Sequence, residues 1–397
     1  MKTTTQDLAL LGGAPAFKAP VHVGRPNIGG RARLLERLNA ILDSRWLTNG
    51  GPCVQEFEAR IAERLNVKHC IAVCNATVGL EIAVRALDLS GEVVVPSFTF
   101  VATAHALQWL GIKPVFGDVK RETHALDPQA VERLITPRTT GIVGVHLWGN
   151  PCDIEALSDL ARRHGLRLMF DAAHAFGCSH AGRMIGGFGE AEVFSFHATK
   201  FVNCFEGGAI TTNSDETARR ARLMQNFGFS GYDQVECVGT NGKMSEISAA
   251  MGLTSLESME QIIRHNRSLI EAYSRELAGV AGLTVLEYPL AERRNYQYVI
   301  VEIDAGRFGL SRDQLVEVLH AENLLARRYF YPGCHRMEPY RTLEPDAGRR
   351  LPVTEWLCDR VMALPTGTAV SGDDVAVIGS IIRAASRGAD EVRRRRA

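Results

Sequence analysis

Seven short apolar runs punctuate the first half of the chain. They are "HCIAVCN" at 69–75, "EVVVPS" at 92–97, "KPVFGDV" at 113–119, "TGIVGVHLWG" at 140–149, "RLMFDAA" at 167–173, "EVFSFH" at 192–197 and "GGAITTN" at 207–213. Most are continuous rather than alternating, the mark of strands covered on both faces. Between several of them, apolar residues recur at helical spacing, as in "GLEIAVRAL" and "DIEALSDLARRHG". Strands alternating with helices predict an α/β fold with a mainly parallel seven-stranded sheet and helices on both faces. The seventh run follows the sixth with no helix between them, which leaves an antiparallel course open to it.

The second half reads differently. The pattern of "SEISAAMGLTSLESMEQII" predicts a helix over about 244–278, and "LTVLEY" and "YQYVIVEI" predict strands of a second unit. Two further helices begin with capping boxes, Ser311 to Gln314 and Ser371 to Asp374. The expected organisation is an N-terminal arm (1–30), a large domain (31–270) and a small C-terminal α+β domain (271–397).

Composition narrows the function. Of 397 residues 46% are hydrophobic, enough for a real core, and 45 basic side chains balance 45 acidic ones. That balance argues against nucleic acid as a partner, because phosphate contacts demand a basic excess. The basic cluster Arg393–Arg396 is expected to be a frayed, solvated tail. Nine cysteines, odd in number and without a C-x-x-C pair, imply no disulfide framework and a reducing, cytoplasmic compartment. "LALLGGAPAF" imitates a signal peptide but is short and broken by Gly12, Gly13 and Pro15, and no run reaches the roughly 20 apolar residues of a membrane span.

Ligands of open α/β sheets bind beyond the carboxyl ends of the strands, so the residues there carry the chemistry. No G-x-G-x-x-G opens a helix after the first strand, and no H-E-x-x-H or Cys/His cluster suggests a metal. Asp171 ends the strand "RLMF" and Lys200 follows the strand "VFSFH". Alone, the first reads as a helix cap or turn former and the second as a solvated loop charge. Together they have a joint explanation: an amine that condenses with an aldehyde, and a carboxylate that keeps a pyridine nitrogen protonated. Ala76 and Thr77 stand where a strand passes into a helix, a natural anion site that Thr77 and Ser195 can supplement with hydroxyls; for Thr77 a plain N-cap is the competing reading. Phe98 and Phe100 follow "EVVVP", so either can cover a flat ring or simply fill the core.

At this point the motifs match a family. The chain resembles the nucleotide-sugar aminotransferases of the DegT/DnrJ/EryC1/StrS group, over nearly its whole length, through "VVVPSFTFVATAHA", "DAAHAFG", "FSFHATKF", "EGGAI" and "GTNGKMSEISAAMG". The resemblance implies an aspartate-aminotransferase-like, type I fold and pyridoxal 5′-phosphate as cofactor, with pyridoxamine 5′-phosphate as its intermediate form. It makes Lys200 the residue that carries the cofactor and Asp171 the partner of its ring nitrogen. His174 would face the phenolic oxygen, Phe100 would stack on the ring, and Ala76, Thr77 and Ser195 would bind the phosphate. Asn241 matches an asparagine that reaches the phosphate of the neighbouring subunit, which implies a homodimer with shared active sites.

The implied reaction is a two-step exchange in which L-glutamate leaves as 2-oxoglutarate and a nucleotide-linked keto sugar accepts the amine. The segment "FGFSGYDQVECVGTNGKMSEISAAMG" looks most like enzymes acting at C4 of dTDP-4-keto-6-deoxyglucose, in deoxyamino-sugar biosynthesis of the antibiotic kind. A 3-keto sugar nucleotide is the alternative acceptor. "ARRYFYPGCHRMEPYR" offers Arg327, Arg328, Tyr329, Tyr331 and His335 for the bulky dianion, although each also reads as an ordinary surface or packing residue. Two departures stand out: Lys243 where the family more often has Arg, which bears on sugar-nucleotide binding, and Phe205 in place of a common Gly. A sugar dehydratase would carry His at position 200, and a sensor domain would need a DNA-binding module for which the first 30 residues leave no room.

Overall fold

In the computed structural model, which describes residues 1–289 and 291–395, all seven runs form strands of one sheet. They are β1 (His69–Val73), β2 (Glu92–Pro96), β3 (Lys113–Gly117), β4 (Thr139–Val145), β5 (Arg167–Asp171), β6 (Ala191–Ser195) and β7 (Gly208–Thr212), in the order β1-β7-β6-β5-β4-β2-β3. Only β7 runs antiparallel to its neighbours β1 and β6. The helix-free connection explains this, since a parallel return would require a crossover. Successive residues feed opposite layers: Val93 and Val95 join one core cluster and Val94 the other, as do Met169 against Leu168 and Phe170. That two-sided burial is why the runs are continuous; each buried aliphatic side chain contributes about 1.5–3 kcal/mol.

Helices α1 (Pro52–Leu65), α2 (Ala76–Ala86), α3 (Ala102–Trp109), α4 (Ile154–His164) and α5 (Asp215–Met224) cover the two faces. Val54, Phe57 and Ile61 of α1 and Leu157 and Leu160 of α4 line one face, and Leu80 and Ala83 of α2 and Leu107 of α3 the other. Local chemistry sets their limits: the Asp153 side chain accepts from Ala156 N at the start of α4, and Gly165 closes it in the left-handed region at φ 64°. The fourth run departs from expectation. Its strand stops at Val145, and Leu147–Gly149 forms a 3-10 turn with Trp148 at φ 61°.

The long helix α6 (Glu246–Leu277) starts in the core of the large sheet through Leu253, Leu256 and Met259 and ends in a second core through Leu269, Tyr273 and Leu277. The second core is built on an antiparallel sheet of β8 (Leu283–Val285), β9 (Val299–Ile303) and β10 (Val361–Leu364). Both expected capping boxes form, starting α7 (Arg312–Ala321) and α8 (Gly372–Arg387). The N-terminal arm packs here too. Leu8 is buried in this core, and Glu322 accepts from the amides of Ala9 and Ala16 while pairing with the Lys2 amine at 3.0 Å. The basic tail is not frayed as expected: Ala389–Arg394 forms a helix because Val392 is fully buried and Arg393 donates to the Gly309 carbonyl. Arg396 lies outside the described residues. Among the described residues, no helix is long and apolar enough to cross a membrane.

Candidate active site

The parallel strands end along one edge of the large sheet, where β7 begins at Gly208. Asp171, the last residue of β5, is buried there. Its Oδ2 accepts from the Thr103 hydroxyl at 2.7 Å and its Oδ1 from the Ala173 amide at 3.1 Å. Burial raises its pKa, opposed by those two hydrogen bonds and by the Lys200 charge. Lys200, half-buried in the loop after β6, donates from Nζ to the Tyr298 hydroxyl at 3.1 Å. Burial pushes its pKa down to about 8, with Asp171 acting in the other direction. Each group therefore acts electrostatically on the other.

His174 lies in a box of rings. Its centroid is 5.6 Å from Trp148 and 4.3 Å from Tyr298, and Nδ1 accepts from Trp148 N at 3.4 Å. Burial and then the Lys200 cation hold its pKa well below the usual histidine value, so the ring is neutral. The two candidate phenylalanines separate cleanly. Phe98 is 0% exposed and edge-packed on Trp148, Phe330 and His124, whereas Phe100 is 60% exposed.

Ala76 and Thr77 open α2, where the Asn75 side chain accepts from Val78 N. The amides of Ala76 and Thr77 have no intrahelical acceptor and stand at the positive end of the helix. Thr77 is thus not the N-cap; Asn75 is. Gly208, paired with Ser195, leaves the approach open: a Cβ there would lie 2.7 Å from Ala76 N. The Ser195 hydroxyl accepts from His197 N at 3.4 Å.

The segment holding Asn241 and Lys243 runs beside the exit of β1, tied by Cys74 N to Gly242 O at 2.7 Å. Asn241 is exposed, and the Lys243 amine lies 4.7 Å from the Phe227 ring centroid. Phe205, which replaces a common Gly, adopts φ 61°, a region that favours glycine and costs other residues about 1 kcal/mol.

The 327–335 stretch divides. Arg327 and Arg328 are exposed, with their cations 5.6 Å from the Tyr329 ring and 4.7 Å from the Tyr331 ring. His335, by contrast, is buried; Nδ1 is 2.7 Å from Ser97 Oγ and Nε2 is 2.7 Å from Glu355 Oε1. Both ring nitrogens are taken. Sequence reading missed Thr103, Trp148 and Tyr298; the hydroxyl one residue into α3, after "PSFTF", is the only one with a readable signal.

The chain is similar to known proteins over nearly its whole length. Residues 30–383 match the model of the DegT/DnrJ/EryC1/StrS aminotransferase family. A dTDP-4-amino-4,6-dideoxy-D-glucose transaminase from Escherichia coli is 36% identical over 365 residues, covering 91% of this chain and 98% of the relative. The enzyme of the same name from Shigella dysenteriae is 37% identical over 378 residues, covering 92% and 99%. The crystal structure of DesI in the presence of its TDP-sugar product superposes with a TM-score of 0.95 at 51% identity, over 99% of this chain and 100% of that one.

Proposed function

Since the chain belongs to the DegT/DnrJ/EryC1/StrS aminotransferase family, whose members are pyridoxal-phosphate-dependent nucleotide-sugar aminotransferases, we propose that it aminates C4 of dTDP-4-keto-6-deoxyglucose with L-glutamate as donor. The product would be the D-gluco amine. Support for the sugar comes from the relatives that carry this activity in their names, and from the TDP-sugar product present with DesI.

The residues at the sheet edge fit the cofactor. Asp171 has acceptor capacity beyond Thr103 and Ala173 and suits a protonated ring nitrogen, and the open amides of Ala76 and Thr77, with Ser195, suit a phosphate. Lys200 would carry the group, His174 would face its phenolic oxygen and Phe100 would cover its ring. When bound, pyridoxal 5′-phosphate supplies an aldehyde for condensation with an amine and a ring that takes up carbanion charge. The Lys200 amine, its pKa lowered to about 8, takes the proton from the donor's α carbon and later delivers one to the sugar carbon that receives the nitrogen. Arg327, Arg328, Tyr329, Tyr331 and Lys243 would receive the nucleotide end of the sugar. His335 has no ring nitrogen to offer it.

A homodimer completes the reading, with Asn241 directed to the partner's phosphate site. Supporting it, the Asn241 segment and its neighbours expose Phe227, Phe229, Tyr232 and Val238 together, an apolar surface suited to a partner. The single observation that carries the function is that the Asp171 carboxylate ends β5 while Lys200 follows the neighbouring parallel strand β6, close enough for each charge to act on the other. An assay of L-glutamate with 3-keto and 4-keto nucleotide sugars, products read by mass and NMR, tests it. A 4-amino-4,6-dideoxy-D-glucose product is expected; a 3-amino product overturns the acceptor.

A further inference from the structure

We propose that Tyr298 is a positioning residue for Lys200, and that residues 295–298 form a strap by which the second core holds the two reactive loops of the large sheet in register. This deepens the function proposed above and rests on Lys200 being the reactive amine. The strap lies just ahead of β9. A regular strand would send alternate side chains to opposite sides, but Tyr296 sits in the left-handed region at φ 52° and breaks that alternation. Asn295, Gln297 and Tyr298 consequently all reach the same loops.

Each does a separate job. Asn295 donates from Nδ2 to the carbonyl oxygens of His174 at 2.9 Å and Phe176 at 3.1 Å, fixing the loop after β5. Its Oδ1 accepts from Gln297 N at 3.0 Å, which locks the strap on itself. Gln297 brackets Lys200 on both sides: Oε1 accepts from Phe201 N at 3.2 Å and Nε2 donates to Thr199 O at 3.4 Å. Tyr298 then meets the amine itself. Its hydroxyl accepts from Lys200 Nζ at 3.1 Å, and its ring lies 4.3 Å from that of His174.

Simple packing does not account for the hydroxyl. The Tyr298 side chain is buried, and a phenylalanine would fill the ring's space while leaving no polar atom to satisfy. The hydroxyl gives a long, freely rotating amine one resting place inside the site once the amino donor has displaced it. Asp171, neutral His174 and the Tyr298 hydroxyl face that amine, and Tyr329 stands beside Tyr298. Of these, only Asp171 and Tyr298 favour its charged form, the latter by accepting a charge-assisted hydrogen bond.

The test is Tyr298→Phe in the full-length protein. The pH dependence of acylation of the Lys200 peptide is followed by mass spectrometry in cofactor-stripped protein, and steady-state kinetics in holoenzyme. In the wild type the amine should titrate near 8 rather than at the ordinary 10.5. In the variant the midpoint should fall by about one pH unit, because the charged form loses its acceptor. With it, kcat should fall about tenfold while KM for L-glutamate stays within about twofold. An unchanged midpoint with unchanged kcat would overturn the role of Tyr298. A pyridoxyl label found on another lysine after borohydride reduction of the wild-type holoenzyme would instead overturn the assignment of Lys200, so the two failures are distinct.

Discussion

The loop around Lys200 and the stretch around Arg327 both mix cations with aromatic rings, yet they are built in opposite ways. Lys200 is fastened from both sides by Gln297, its amine rests on a buried hydroxyl, and its pKa is driven down to about 8. Arg327 and Arg328 stay exposed, their cations over tyrosine rings, and Arg328 shares Asp313 at 3.4 Å. Such exposed contacts are worth only about 0.5–1 kcal/mol each and leave the side chains free to regroup. Chemistry needs a charge whose protonation has been altered, and burial in the loop after β6 supplies that. In the proposed reading, gathering a bulky dianion would need reach, which solvated arginines would supply. His335 belongs to neither class, because Ser97 and Glu355 occupy both of its nitrogens.

Lys200→Ala should break the comparison most severely: turnover should fall by about 10^4-fold and the yellow chromophore of the holoenzyme should be lost. Surviving transamination would mean that another lysine acts. Asp171→Asn keeps the shape but cannot carry charge, and kcat at saturating cofactor should fall by about 10^2-fold or more. A variant with native kcat would reduce Asp171 to a turn former. His335→Ala should do the reverse. Chemical denaturation should show a loss of about 1–2 kcal/mol, from the missing buried ring and its two hydrogen bonds, because Ser97 keeps the backbone amide of residue 335 and Glu355 keeps Arg336, while kcat/KM stays within about threefold. A hundredfold rise in KM for the sugar nucleotide, with stability intact, would return His335 to the binding site.

The sheet was legible because two-sided burial writes itself as continuous apolar runs, and the helices because caps such as Ser311 and Ser371 have local signatures. Asp171 stands at the end of β5 as the sequence predicts, and Lys200 lies in the loop after β6, five residues beyond its last residue Ser195. Other features were not legible. Phe98 and Phe100 are two residues apart with the same side chain, and only the packed structure shows that the first is core and the second open. Trp148 looked like the continuation of a strand, since nothing in "HLWG" announces its left-handed turn. Tyr298 reaches Lys200 from 98 residues away, a distance no local pattern spans. The four-residue β10 is too short to show a period, and His335 carries no sign in sequence that its nitrogens are already spent.

The central claim is that one amine, Lys200 Nζ, bonds reversibly to the cofactor aldehyde. Reducing the holoenzyme with borohydride, digesting it and locating the pyridoxyl group by mass spectrometry tests this directly. The label is predicted on the peptide containing "HATKF", at Lys200. A label on Lys243, on any other lysine or on no peptide would contradict the account.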